Sequence, residues 1–364
     1  MFEGLLAAWD GEEVVVRFDQ PTGAWIFLAI HSRRRGPACG GTRMKSYPEP
    51  ADGLADAMRL SAAMTKKMAA VDLPFGGGKA VIALARPLAA DDRRELLLRY
   101  AEMVASLGGN YQTGPDVGTT IADMDVIGER CRWVVCRSHE HGGSGDPGPH
   151  TARGVFHGIR ASVGHVFGSD DLTGRVVVVQ GVGDVGAPLA EHLAEAGAQV
   201  LVSDVADERV RAVAARIGAT MVPPAEAASQ PCDVYAPCAL GGTLNATTIP
   251  ALRSPIVAGS ANNQLAEPDD AEGLREAGIL YAPDFVINAG GVLYGWGLES
   301  LGWTLDQVEA RLAGIGNTLV DIYTRADAAG ITTAAAADAL ADSRLSEAAT
   351  RPSVDAIGAD TGRT

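Results

Sequence analysis

The sequence predicts an α/β protein folded as two domains, and three observations carry that prediction. The chain has 364 residues, enough for two hydrophobic cores. From residue 175 onward short apolar runs alternate with helical stretches, the pattern of a doubly wound parallel sheet covered on both faces. Before about residue 135 the texture differs, with a hairpin, long helices and a glycine-rich turn. An N-terminal α/β domain is therefore expected over 1–135 and a second over 136–329. A helix at about 330–350 is placed to pack back on the first, and 351–364 reads as a disordered tail.

The elements follow in order. Extended runs at 13–18 and 24–32 flank Asp19-Gln20-Pro21-Thr22-Gly23, turn chemistry that predicts a hairpin. A helix over 51–70 sets Leu54, Met58, Ser61, Met64 and Met68 near one face. Gly76-Gly77-Gly78 reads as a turn leading into a strand over 80–84, and a helix over 91–107 follows. The Gly- and Pro-rich segment 142–149 reads as a loop and 151–167 as a helix. Further strands are expected at 176–180, 199–204, 220–222, 233–237, 256–259 and 279–282, then helices over 307–329 and 334–349.

Composition excludes several functions. A formal charge of −15 opposes nucleic-acid binding, which needs a basic surface. No run of about 18 apolar residues is present to span a membrane. The N-terminus lacks the basic and apolar regions of a secretory signal, so a cytoplasmic location is expected. The five cysteines form no CxxC pair and read as free thiols. His139 and His141 lack the further ligands a zinc site needs, so no metal is expected.

The second half opens with an apolar strand running into Gly181-Val182-Gly183-Asp184-Val185-Gly186, followed by a helix over 187–196 and a strand ending in Asp204. In that context GxGxxG is a Rossmann-type dinucleotide fingerprint. The first glycine permits the tight turn, the second lets backbone approach the pyrophosphate, and the third packs helix on strand. N–H groups at the helix start then face the phosphates. Asp204, eighteen residues past Gly186, suits ribose hydroxyls and repels a 2′-phosphate, which favours NAD over NADP. Arg209, five residues on, softens that preference.

Chemistry must come from the other half. Lys66 lies seven residues after Arg59, on a wet helical face, whereas Lys67 follows Leu60 and Met64 on an apolar one. A lysine there either snorkels or meets an anion. Lys79 follows three glycines at the mouth of an apolar strand, where a ligand can approach closely. Burial and a neighbouring cation would bring its pKa from about 10.4 to about 7–8, the range of a general base. Asp116 is the candidate partner carboxylate, while Asp123 and Asp125 read as structural charges at a helix terminus.

These segments together resemble the leucine/phenylalanine/valine branch of the amino acid dehydrogenase superfamily that includes glutamate dehydrogenase. The resemblance runs through Gly40-Gly41-Thr42-Arg43, Met64 to Lys67, Gly76 to Lys79, Asp116-Val117-Gly118 and Ala122 to Asp125. It continues through Thr151-Ala152, Gly181 to Gly186, Ala236 to Gly242, Asn262-Asn263-Gln264, Ala282-Pro283-Asp284 and Asn288 to Gly291. It implies a homo-oligomeric NAD enzyme with its active site in the cleft between the domains. Lys67 would hold the substrate carboxylate, with help from Asn263 or its neighbour Asn262. Lys79 would deprotonate the water that attacks an imino acid, and Asp116 would handle the amino group. Hydride would pass from Cα to the nicotinamide, giving NADH, ammonia and a 2-oxo acid. Thr151, Asn288 and the Cys238–Ala239 backbone would meet the nicotinamide side.

The resemblance further implies substrate-pocket positions at Cys39, Gly40, Gly41, Gly114, Val292 and Gly295. Cys39, Gly114 and Gly295 are small, which leaves room for a ring, and phenylalanine ranks first. Tyrosine, tryptophan or a branched aliphatic amino acid follow. Leu293-Tyr294-Gly295-Trp296-Gly297 departs from the family pattern, and Trp296 either shrinks the pocket, walls it for a ring, or simply packs in the core. A catalytically silent NAD-binding regulator would be expected to have lost Lys67, Lys79 or Asp116; all three are present. The N-terminal hairpin is the expected oligomer contact.

Overall fold

The computed structural model describes residues 2–349. After a short helix, α1 (Phe2–Ala8), the predicted hairpin forms as β1 (Glu13–Asp19) and β2 (Ala24–Ser32), antiparallel from Glu13↔Ile30 to Asp19↔Ala24. Its turn is fixed by Asp19, which accepts hydrogen bonds from the Thr22 hydroxyl and from Arg99. Two short strands, β3 (Ala38–Cys39) and β4 (Thr42–Ser46), precede α2 (Pro50–Ala70) and β5 (Gly76–Leu84). Then come α3 (Ala90–Ser106), β6 (Tyr111–Gln112) and α4 (Ile121–Gly128). The sheet runs β1-β2-β5-β3-β6, with β4 following β3 along the same edge of β5. Helix α2 packs through Leu54, Ala57 and Met58 on Phe27, Ala29 and Val81. On the opposite face α3 packs through Leu96, Leu97 and Tyr100 on Ile26, Leu28 and Ile82.

One element differs from expectation in a way that matters. Gly76-Gly77-Gly78 is not a turn; it is the first third of β5. The glycines are needed because neighbours lie directly on them. A Cβ at Gly76 would come 1.9 Å from the Ser32 carbonyl oxygen, and one at Gly77 would come 2.1 Å from the Thr65 nitrogen in α2. The helix bearing Lys67 therefore rests against the strand bearing Lys79. The strand register and the bare glycine surface together bring two lysines twelve positions apart to one place.

The second half is a parallel sheet whose strands lie side by side in the order 280–281, 256–257, 234–237, 176–180, 199–203 and 220–221. Helix α5 (Gly148–Phe167) leads into β7 (Val176–Gln180), α6 (Gly186–Glu195), β8 (Gln199–Ser203), α7 (Asp207–Ile217) and β9 (Thr220–Met221). After β10 (Val234–Pro237) come β11 (Ile256–Val257), α8 (Asp270–Glu276), β12 (Leu280–Tyr281), α9 (Asp284–Ile287) and α10 (Gly290–Glu299). The chain then folds into α11 (Leu305–Ala329) and α12 (Thr333–Ala349). Strands β11 and β12 are shorter than the apolar runs that announce them. Past β11, Gly259 and Ala261 give their carbonyls to the Gln264 side chain instead of a ladder. Helix α12 lies against α2: Lys66 pairs with Asp338 at 2.7 Å, and Arg344 donates to the Ala69 and Ala70 carbonyls. Those carbonyls end α2, where a guanidinium satisfies both their lone pairs and the helix dipole. The predicted tail at 351–364 lies outside the described residues. Among the described residues no helix is long and apolar enough to cross a membrane.

Candidate active site

A cavity of about 370 Å³ opens between the two halves, lined by Met64, Lys67, Lys79 and Asp116 from one side and Asn262, Asn263, Asp284, Asn288, Val292 and Trp296 from the other. Lys79 sits within β5, only 6% exposed, opposite Ala29 of β2. On its other edge the chain breaks between β3 and β4 at Gly40-Gly41, and both glycines are sterically required. A Cβ at Gly40 would lie 1.8 Å from the Gly78 oxygen and one at Gly41 2.5 Å from the Pro115 oxygen. This close approach carries Asp116 up to the lysine. Lys79 Nζ lies 3.0 Å from Asp116 Oδ2.

Arg43, from β4, donates to the same Asp116 oxygen at 2.9 Å and to Asp56 at 2.9 Å; Asp56 also accepts from Tyr47 and Arg59. Burial alone would raise the Asp116 carboxyl, but Lys79 and Arg43 outweigh it and bring its pKa to about 2. Asp116 is thus an anion at any physiological pH. Arg43 stood in a recognised segment without a role, because its five-residue strand Thr-Arg-Met-Lys-Ser shows no pattern pointing the guanidinium inward.

Lys67 reaches the cavity from the last turn of α2 and lies 3.4 Å from Asn262 Oδ1. The amide neighbour is therefore Asn262, while Asn263 lines the cavity with a left-handed backbone, φ 51°. Burial lowers the Lys67 ammonium pKa to about 8, with Asp284 opposing and Lys79 adding to the fall. Lys79 is held in an ion pair with Asp116, and burial works against the ammonium of Lys67. Asp284 is a further carboxylate of the site that the sequence left without a role. Burial raises its carboxyl, and Lys67 together with the Phe285 and Gln264 N–H groups resists the rise.

The dinucleotide side is a cradle built by glycine. Gly181 has φ 95°, and a Cβ there would meet Ala239 at 2.7 Å. One at Gly186 would lie 1.8 Å from the Gly181 oxygen and 3.3 Å from Cys238. At Gly183 nothing lies within 4 Å, so the turn is open on the side from which a pyrophosphate would come. Val182 is buried and its N–H donates to Asp204 Oδ2 at 2.8 Å; the other carboxylate oxygen accepts from the Ala206 N–H at 2.9 Å. Two amides thus orient Asp204 and leave lone pairs free. Asp184 and Val185 complete the turn into α6. Nearer the lysines, Thr151 Oγ1 donates to the Pro147 carbonyl and abuts Gly291. Asn288 donates to the Ser260 carbonyl and to Asn262, while its own Oδ1 is buried without a partner. An orphaned acceptor beside the cavity fits the amide N–H of a nicotinamide.

The pocket positions divide. Val292 and Gly41 line the cavity, whereas Cys39, Gly40, Gly114 and Gly295 do not. Cys39 is fully buried, and a Cβ at Gly295 would meet the Cys136 sulfur at 2.7 Å.

Residues 16–133 match the Glu/Leu/Phe/Val dehydrogenase dimerisation domain, and residues 142–208 and 204–351 match the glutamate/leucine/phenylalanine/valine dehydrogenase domain. The chain belongs to the Glu/Leu/Phe/Val dehydrogenase family. Within it, a valine dehydrogenase of Streptomyces coelicolor is 45% identical over 344 residues, 94% of each chain. A leucine dehydrogenase of Geobacillus stearothermophilus is 42% identical over 93% of this chain and 92% of its own. Among solved structures, the L-tryptophan dehydrogenase of Nostoc punctiforme superposes with a TM-score of 0.81 at 39% identity, covering 96% of this chain and 99% of that one. As a Glu/Leu/Phe/Val dehydrogenase, the protein is an oxidoreductase acting on amino acids, and its two α/β domains with a cleft between them are the family's architecture.

Proposed function

We propose that the protein catalyses the reversible, NAD-dependent oxidative deamination of an L-amino acid with an apolar side chain, giving a 2-oxo acid and ammonia. The observation that carries this reading is the grouping of Lys67, Lys79 and Asp116 in one cavity, facing Asn288 of the dinucleotide half. Lys67 and the Asn262 amide take the substrate carboxylate. Asp116, ionised down to about pH 2, takes the ammonium. The three groups thereby orient Cα toward the Asn288 side of the cavity. NAD, when bound, supplies the acceptor for the hydride that leaves Cα.

A substrate ammonium that takes over Asp116 leaves Lys79 without its counter-ion, buried and close to the Lys67 cation. Lys79 then withdraws a proton from the water that adds to the imino carbon and returns a proton to the departing amine, which Asp116 holds in place as an anion. NAD over NADP is supported by Asp204, a carboxylate at the end of β8 held by two amides, a group that attracts ribose hydroxyls and repels a 2′-phosphate. Homo-oligomer formation through the N-terminal half is supported by the match of residues 16–133 to a dimerisation domain.

The test is direct. NADH and ammonia formation are followed on mixing the protein with NAD or NADP and a series of L-amino acids. NADH is expected with at least one apolar amino acid, faster with NAD than with NADP. Failure of every apolar amino acid to yield NADH refutes the reading.

A further inference from the structure

We propose that Trp296 sets the size of substrate side chain the enzyme accepts, by filling the room that the small residues around it would otherwise leave. This rests on reading the cavity as an amino acid site. Trp296 is 5% exposed and lines the cavity. Its benzo edge lies over Gly114: a methyl group placed there would come 3.3 Å from Trp296 Cη2. On the pyrrole side its neighbour is the buried thiol of Cys39. Two of the three small residues that promised space for a ring therefore border on an indole that already occupies it. The third, Gly295, faces the Cys136 sulfur.

The indole is a fixed wall because its helix is tied down on both sides of the cleft. Ser300, just past α10, donates to the Gln112 side chain of the first sheet at 2.8 Å. Glu299 accepts from the Cys136 N–H, the Ser144 N–H and the Ser144 hydroxyl at 2.6, 3.0 and 2.6 Å. The buried indole N–H faces the Cys39 thiol, a weak acceptor, so the ring contributes chiefly through its volume. The occupant that fits beside such a wall is a short branched aliphatic side chain, in place of the phenylalanine ranked first on the sequence.

Trp296→Leu opens the space, and Trp296→Phe opens less of it while keeping a ring. Steady-state NADH formation is measured for both variants and the unaltered chain with valine, leucine, phenylalanine and tryptophan, alongside NADH binding. The unaltered chain is expected to favour valine or leucine. The ratio of kcat/KM for phenylalanine to that for valine is expected to rise roughly 10–100-fold in Trp296→Leu, the range that one or two methylenes of pocket space command, and less in Trp296→Phe. NADH binding stays unchanged. A ratio that does not move in NADH-binding variants overturns the proposal, and so does an unaltered chain that already prefers phenylalanine or tryptophan. If the unaltered chain forms NADH with no amino acid at all, the reading of the site itself fails, a distinct result.

Discussion

Around Lys79 the groups that face the cavity are side-chain charges, with Lys79 and Arg43 at 3.0 and 2.9 Å from one oxygen of Asp116. Around Gly181 the turn offers backbone groups, and the carboxylate there, Asp204, is tied to two loop amides. The two regions present polar groups by different means. Backbone N–H groups at a helix start come with the fold and leave no charge to neutralise when the ligand departs. Buried side-chain ions cost desolvation in the empty protein and must compensate one another, but they exchange protons and so supply chemistry. In the proposed mechanism the backbone binds and the side chains react, a division of labour between the two regions.

The largest expected effect comes from breaking the charged side. Asp116→Ala leaves buried Lys79 without a carboxylate and Arg43 with Asp56 alone, and is expected to cost about 3–5 kcal/mol of stability, read from denaturant unfolding, together with loss of turnover. A variant as stable as the parent would mean the three charges do not depend on one another. On the backbone side, Gly186→Ala drives a methyl into the Gly181 carbonyl, at 1.8 Å, and should cost roughly 1–3 kcal/mol. NADH affinity should fall while the Lys79–Asp116 pair stays intact. Full NADH affinity in that variant would remove the third glycine from the cradle.

The smallest effect is one of pH. The Lys67 ammonium has a pKa of about 8, so its positive charge is present below that pH and lost as the pH rises through it. The KM for the amino acid should therefore climb above about pH 8, with NADH binding flat over the same range. A KM that is level to pH 10 would place the carboxylate elsewhere.

The same contrast explains what the sequence disclosed. The dinucleotide turn was legible because its parts are contiguous: one strand, three spaced glycines, one helix, and a carboxylate at the end of the next strand. Lys67 and Lys79 were legible as residue types in unusual company, and Asp116 as a partner. Their contact was not, since it depends on α2 lying on the glycines of β5 and on β3 and β4 flanking that strand. The triplet Gly76-Gly77-Gly78 looks like a turn when read alone and becomes a strand only when Thr65 and Ser32 press on it. Arg43 and Asp284 were invisible for the same reason, each acquiring meaning from a neighbour far along the chain. Small residues promised room for a ring because a sequence shows which side chains are short and not which neighbour lies over them; Trp296 lies over Gly114 from 182 positions away.

The division of labour meets its most direct test in Lys79→Ala, with NADH affinity and turnover measured on the same preparation. Turnover should fall on the order of 10²–10⁴-fold, the contribution of a positioned general base, while NADH binds as before. Turnover that persists, or NADH affinity that collapses together with it, would contradict the assignment of chemistry to one half of the cleft and cofactor binding to the other.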